Sequence, residues 1–261
     1  MNKDRLVNIG LPIVALFGAL LFWEAIVRIN QIPPVILPSP SLIAATLVKD
    51  WRTLGGSLEV TMSITIQALV AATIGGTLLA LAFAQWRPVE RAFFPFAVIL
   101  QVTPVVSIAP LLLVYLSSGT AVLVCAFLVA FFPILSNTAL GLSSVDHNLL
   151  DLFQLYRASP GRQLFLLRIP TALPYFLGGL RIGGGLALIG AIVAEIAAGS
   201  AGQGSGLAFR IVESGYRLNI PRMFAALVLI SVAGIAIFVV LSIVSYFLLH
   251  RWHDSARRRE S

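Results

Sequence analysis

Apolar residues in this chain run in blocks rather than alternating with polar ones. Six blocks reach membrane-spanning length between charged or turn-forming boundaries: 11–29, 60–84, 93–116, 119–142, 172–198 and 223–249. A bilayer core needs about 20 mostly apolar residues per helix, so each block predicts one transmembrane helix. Strands of a membrane barrel would alternate over about ten residues, and no block does. The pattern predicts an all-α polytopic membrane protein with six transmembrane helices, residues 1–261 forming a single transmembrane domain. The first block follows Lys3 and Arg5, as a signal core would, but it is longer than such a core and contains Glu24. It is read as a retained helix.

The connecting segments are of two kinds. Residues 85–92 and 117–118 are tight turns, whereas Pro33, Pro34, Pro38 and Pro40 make an extended approach to a short surface helix over 41–51, with Ser41 as its cap. Residues 143–171 form a far longer connection than a hairpin needs, which marks it as functional. Its pattern predicts two short helices. Ser144 caps the first, whose stripe of Leu149, Phe153 and Tyr156, with Leu152 beside it, lies opposite Asp146, Asn148, Asp151, Gln154 and Arg157. Ser159 caps the second with Pro160 in its first turn, and Pro170 is expected to stop it. Such a hairpin is too short to cross the bilayer, so its apolar stripe must rest on the membrane body or on a partner protein.

Composition narrows the chemistry. Of 261 residues, 58% are hydrophobic and only 11% charged, against about 25% charged in soluble domains. The net charge of +7 is spread between the apolar blocks, with Lys3 and Lys49 the two lysines, so no nucleic-acid surface is expected. The lone Cys125 excludes a disulfide framework or a cysteine metal site. His250 and His253 stand three apart without a third ligand, so no metal or other cofactor is expected, and the pair reads as an interfacial anchor beside Trp252. Neither lysine follows the glycine run of a phosphate-binding loop. ATP, if used, is hydrolysed by another polypeptide. Placing both termini in the cytoplasm puts twelve of the eighteen basic residues on or near the inner face, the tail Arg257–Arg259 among them, with Trp86 and Trp252 at inner boundaries.

Asp151-Leu-Phe-Gln-Leu-Tyr-Arg-Ala-Ser159 and Ile169-Pro-Thr-Ala-Leu-Pro174 resemble the cytoplasmic loop motif of binding-protein-dependent ABC importer permeases. The segments Ser107–Leu113, Phe131–Thr138, Gly178–Gly183 and Ile192–Glu195 are similar to the nitrate, sulfonate and taurine group, which includes permeases for thiamin-pyrimidine precursors and riboflavin. Asp151 replaces the motif's glutamate, Leu152 and Phe153 its alanines, and Arg157 its glycine; arginine does not easily adopt the positive φ that glycine tolerates. The resemblance implies a permease of the bacterial inner membrane, working as a homodimer. Its partners would be two cytoplasmic ABC ATPase subunits and a periplasmic or lipid-anchored solute-binding protein. Asp151, Leu152, Phe153, Tyr156, Arg157, Ala158 and Ser159 would then dock the ATPase. The alternative class is a self-sufficient channel or ion-coupled carrier, which would more often carry a midplane acid and inverted repeats. A membrane-embedded enzyme lacks a catalytic cluster.

Polar groups inside the blocks are the pathway candidates. Gln101, Thr103, Ser107, Ser136, Asn137 and Thr138 line a passage or hydrogen-bond neighbouring helices, near Pro95, Pro104, Pro110 and Pro133. Arg181 either snorkels inward or joins a gate. Glu195 lies 14 residues further, roughly 21 Å along a helix, and either serves an outer gate or stabilises the loop that follows. Glu24 and Arg28 read as a structural pair. Ala72-x-x-x-Gly76 and Gly179-x-x-x-Gly183 are packing faces. The outer segment opens on Gly199, Gly202, Gly204 and Gly206 and becomes amphipathic around Leu207–Tyr216, where Arg210, Glu213 and Arg217 could meet the binding protein. Anionic solutes and neutral pyrimidine-type or riboflavin-type solutes fit equally.

Overall fold

The computed structural model describes residues 3–199 and 204–250, with side chains from residue 10 onward. Readings that rest on Gly202, Trp252, His253 and Arg257–Arg259 lie outside the described residues. Among the described residues all regular structure is helical: α1 (Lys3–Ile29), α2 (Pro40–Lys49), α3 (Trp51–Gln85), α4 (Arg87–Val102), α5 (Val105–Tyr115), α6 (Ser118–Ser143), α7 (His147–Leu155), α8 (Pro160–Gln163), α9 (Ile169–Ala198), α10 (Leu207–Tyr216) and α11 (Ile220–Leu249). A π turn at Leu164–Arg168 joins α8 to α9. Among the described residues five helical stretches are each long and apolar enough to span a membrane: Gly10–Ile29, Trp51–Gln85, Ser118–Ser143, Pro160–Ala198 and Ile220–Leu249.

The third predicted span is different. It is broken into α4 and α5, bent by 99°. Pro104 has no N–H to donate and drives the preceding residue out of the helical region, and Thr103 accordingly sits at φ −73°, ψ 122°. The Thr103 hydroxyl donates to the Ile99 carbonyl at 2.6 Å, holding the end of α4. Pro95, Pro110 and Pro133 stay within helices.

Other boundaries also move. Ser39, not Ser41, caps α2, accepting from the Leu42 N–H at 3.3 Å. Ser41 instead gives its N–H and hydroxyl to the Glu24 carboxylate, at 3.0 and 2.7 Å, which also pairs with Arg28 at 2.6 Å. Asp146 rather than Ser144 caps α7, accepting from the Asn148 N–H at 2.8 Å. Ser144 closes α6 by donating to the Gly141 carbonyl at 3.0 Å. Pro170 does not stop its helix: it follows the π turn Leu164–Arg168 directly and stands in the first turn of α9, where a proline is tolerated. Pro160 to Ala198 is one continuous 39-residue helix, roughly 58 Å long.

Lipid offers no hydrophobic drive for helices to associate, so close backbone approach must supply the packing. The buried core accordingly consists largely of alanine and glycine: Ala68, Ala72, Ala126, Ala130, Ala187 and Ala191 have no exposed surface. A methyl on Gly179 would come within 2.8 Å of Asn137 Cβ and 2.9 Å of the Pro133 carbonyl, and one on Gly141 within 2.8 Å of Ala172 Cα. The α6–α9 seam is thus built on absent side chains. Ala72 and Gly76 serve α3 against α6 in the same way, a Gly76 methyl meeting the Leu135 nitrogen at 3.2 Å. Leucine, isoleucine and phenylalanine of α1 and α11 face outward.

Candidate functional site

At one end of the bundle the hairpin of α7 and α8 stands on an anchored base. Leu164 and Leu167 of the π turn are buried, Leu164 in a cluster with Phe83, Leu135, Leu142 and Ala172. Arg168 donates to the Ala84 carbonyl at 3.3 Å, tying the base to the end of α3. Above that base α7 buries nothing. Leu152 is 45% exposed, Leu155 81% and Tyr156 80%. Asp151, Arg157 and Ser159 are also exposed, and Phe153 and Ala158 are half-buried. Of the predicted stripe, only Phe153 leans on the body.

Arg157 adopts the left-handed conformation, φ +50°. The reason is the helix ending: Arg157 N–H donates to the Gln154 carbonyl at 2.8 Å and Ala158 N–H to the Phe153 carbonyl at 2.9 Å. That is the paired bonding of a Schellman end, whose turning residue is usually glycine. Ser159 then caps α8, accepting from the Arg162 N–H at 3.4 Å. The left-handed form costs a side-chain-bearing residue about 1 kcal/mol, so Arg157→Gly should raise amide-exchange protection across α7 by roughly fivefold. Unchanged protection would mean that the bonds, not φ, limit this turn.

A cleft of about 890 Å³ opens beside the hairpin, lined among others by Gln85, Arg87, Glu90, Ser136, Asn137 and Arg168. It gathers only part of the predicted pathway set. Asn137 is half-buried, its amide donating to the Pro133 carbonyl at 2.8 Å. Gln101 and Ser107 lie exposed on either side of the α4–α5 bend, away from the cleft lining. Arg181 points elsewhere, its guanidinium 5.8 Å from the Phe238 ring centre on α11.

Glu195 is at the opposite end, only 5% exposed. It accepts from the Thr61 hydroxyl at 2.7 Å and from the Ala208 N–H at 3.1 Å. Thr61, fully buried on α3, in turn accepts from the Leu207 N–H at 2.9 Å. Sequence reasoning found Glu195 but not Thr61, and placed Gly206 only among the glycines that open the outer segment. The available signal was a helix start at Leu207 preceded by glycine, with no side chain to cap it.

Further along α10, Arg210 donates to Ser57 at 3.0 Å and to Glu213 at 2.8 Å, and Arg217 pairs with Glu213 at 2.9 Å. Arg222 pairs with Asp50 at 3.4 Å. The hydrogen bond from Arg210, then its charge and those of Arg217 and Arg222, hold the Glu213 carboxyl below the ordinary carboxylate value of 4.5. A depressed carboxyl stabilises the fold fully above the ordinary value and loses that contribution as pH falls through the depressed one. Amide protection of α10 should therefore be level from pH 8 to 5 and drop in more acid solution. Glu213→Gln should remove that drop; an identical acid profile in the variant would show that another group causes it.

Among the described residues no three histidine, cysteine, aspartate or glutamate side chains gather as a metal site. His250 stacks on Tyr246, ring centres 5.3 Å apart.

These features define a multi-pass helical membrane protein with an exposed hairpin at one end and a clasped short helix at the other. Residues 72–259 match the family described as the binding-protein-dependent transport system inner membrane component, and the chain belongs to it. It is 31% identical to a riboflavin transport system permease protein of Chloroflexus aurantiacus, over 95% of this chain and 91% of that one. It is 32% identical to a formylaminopyrimidine transport permease protein of Halalkalibacterium halodurans, over 91% and 94% of the two chains. A bicarbonate transport system permease protein of Synechocystis is 28% identical over 71% and 70%. The chain is thus the permease component of an ABC importer for a small solute, served by separate ATPase and solute-binding proteins.

Proposed function

We propose that this permease works as a homodimer with two ATPase subunits and one solute-binding protein, and that α7 and the turn after it dock the ATPase. The observation that carries this reading is the exposure of Leu152, Leu155 and Tyr156 above a buried base. Apolar side chains presented on a rigid foot fit a protein cleft. Asp151, Arg157 and Ser159 form the polar rim of that contact, and both chain termini lie on the same, cytoplasmic, side.

The solute class we favour is a neutral nitrogen heterocycle. The relatives named for riboflavin and formylaminopyrimidine align over more than nine-tenths of this chain. Arg181 is the one basic residue within blocks 60–84, 93–116, 119–142 and 172–198, which leaves little to recognise an anion in the passage.

Ser159→Cys tests docking and orientation together. Cys125 is buried and leaves a quiet background. The expected result is nucleotide-dependent cross-linking to the ATPase, and labelling by a membrane-impermeant reagent from the cytoplasmic face only. Labelling from outside intact cells would overturn the reading.

A further inference from the structure

Helix α10 has no cap of its own. Its N-cap, Gly206, sits at φ −75°, ψ 179°, extended backbone open to any residue, so the glycine does not serve conformation. It serves space: a methyl at Gly206 would fall on the Glu195 carboxylate. The first turn of α10 is held by two other helices, Leu207 N–H by Thr61 of α3 and Ala208 N–H by Glu195 of α9, while Thr61 and Glu195 bond each other. A serine at the N-cap position would have met the same need locally. The remote carboxylate does something more, because it fastens α10 to the end of α9. A carboxylate facing a helix N-terminus is also favoured by the helix dipole.

The α9 end of this clasp belongs to the continuous helix Pro160–Ala198. Its other end is the start of α8, capped by Ser159 of the hairpin. Glu195 therefore lies three residues from one end of a single rod whose opposite end carries the hairpin. The far end of α10 is free to meet a partner, with Tyr216 and Leu218 exposed.

We propose that Glu195 is a positioning residue that makes displacement of α10 pull on α9, and so carries arrival of the solute-binding protein at one membrane face to the ATPase hairpin at the other. The proposal rests on the reading that the hairpin docks the ATPase. Glu195 contributes to transmission rather than to the chemistry of the solute, and Gly206 is required so that the carboxylate can reach the helix start.

The test separates clasping from capping. Glu195→Ala removes the clasp, and adding Gly206→Ser supplies a local cap in the space the carboxylate vacates. Both variants and the unaltered chain are reconstituted with ATPase and binding protein in proteoliposomes. The readouts are amide protection of α10 and the ratio of binding-protein-stimulated to basal ATP hydrolysis. The expected result for the double variant is α10 protection restored to within about threefold of the unaltered chain, with the stimulation ratio reduced tenfold or more. Recovery of both would make Glu195 a cap alone and overturn the proposal. Glu195→Gln carries the same test where the double variant does not assemble. Its single amide oxygen can replace only one of the two carboxylate acceptors, so either the bond from Thr61 or the bond from the Ala208 N–H is lost or reversed, and the expected ratio falls at least threefold, an undiminished ratio overturning the proposal. If the Ser159→Cys chain, otherwise unaltered, cross-links to its ATPase but shows no stimulation, the transmission idea fails while hairpin docking stands; if it shows stimulation without that cross-link, the docking reading fails, and the proposal with it.

Discussion

Tyr156→Asp is expected to abolish ATP-driven uptake while leaving the permease folded and in the membrane. Tyr156 is 80% exposed, so its ring contributes little to the packing of the chain. Surface substitutions of that kind change stability by less than about 0.5 kcal/mol. At a docking surface the arithmetic differs. Truncating a buried aromatic anchor costs about 2 kcal/mol or more, roughly a 30-fold loss of affinity, and the aspartate adds a desolvated charge. Copurification of the ATPase and uptake should fall together, and the midpoint of thermal unfolding should not move. Normal uptake by the variant would remove α7 from the coupling path.

The second large effect is on the fold itself. Gly179→Val and Gly141→Val should each destabilise the chain by about 3 kcal/mol, the upper end for overpacking a tight core. Even a methyl at these positions meets backbone or Cβ atoms at 2.8 Å, where no flexible side chain can move aside. Gly178 and Gly185 lie on the same helix with nothing within 4 Å of a built methyl. Replacing either by alanine should change stability by less than about 1 kcal/mol, the size of the helix-propensity difference. Thermal unfolding in detergent compares the two pairs. Equal shifts would mean that α6 and α9 do not approach through glycine.

Much of this architecture was legible in the sequence because the bilayer imposes one strong rule, a run of about 20 apolar residues for each crossing. Helix breaks obey weaker rules. Of the four prolines Pro95, Pro104, Pro110 and Pro133, only Pro104 separates two helices; Pro170, expected to stop a helix, follows directly on a π turn and is carried into α9. Whether a proline kinks, breaks or is accommodated depends on the neighbouring backbone, which a local pattern does not encode. Caps misled for a related reason, since Ser39 and Ser41, or Ser144 and Asp146, are equally suited by chemistry and differ only in where the chain turns.

The hairpin was readable through its motif spacing, and its one disputed feature divided two local signals. Arginine at position 157 argued against a positive φ, and the glycine of the family pattern argued for it. The two Schellman hydrogen bonds decide the matter. The clasp at the other end was not readable. Glu195 and Thr61 are 134 residues apart, and a buried carboxylate finds such a partner only once α3, α9 and α10 are assembled.

Uptake into proteoliposomes, with subunits added one at a time, tests the central claim most directly. The permease alone, and the permease with binding protein, should move no solute; ATPase, binding protein and internal ATP together should drive accumulation against a gradient. Accumulation by the permease without the ATPase would contradict the account.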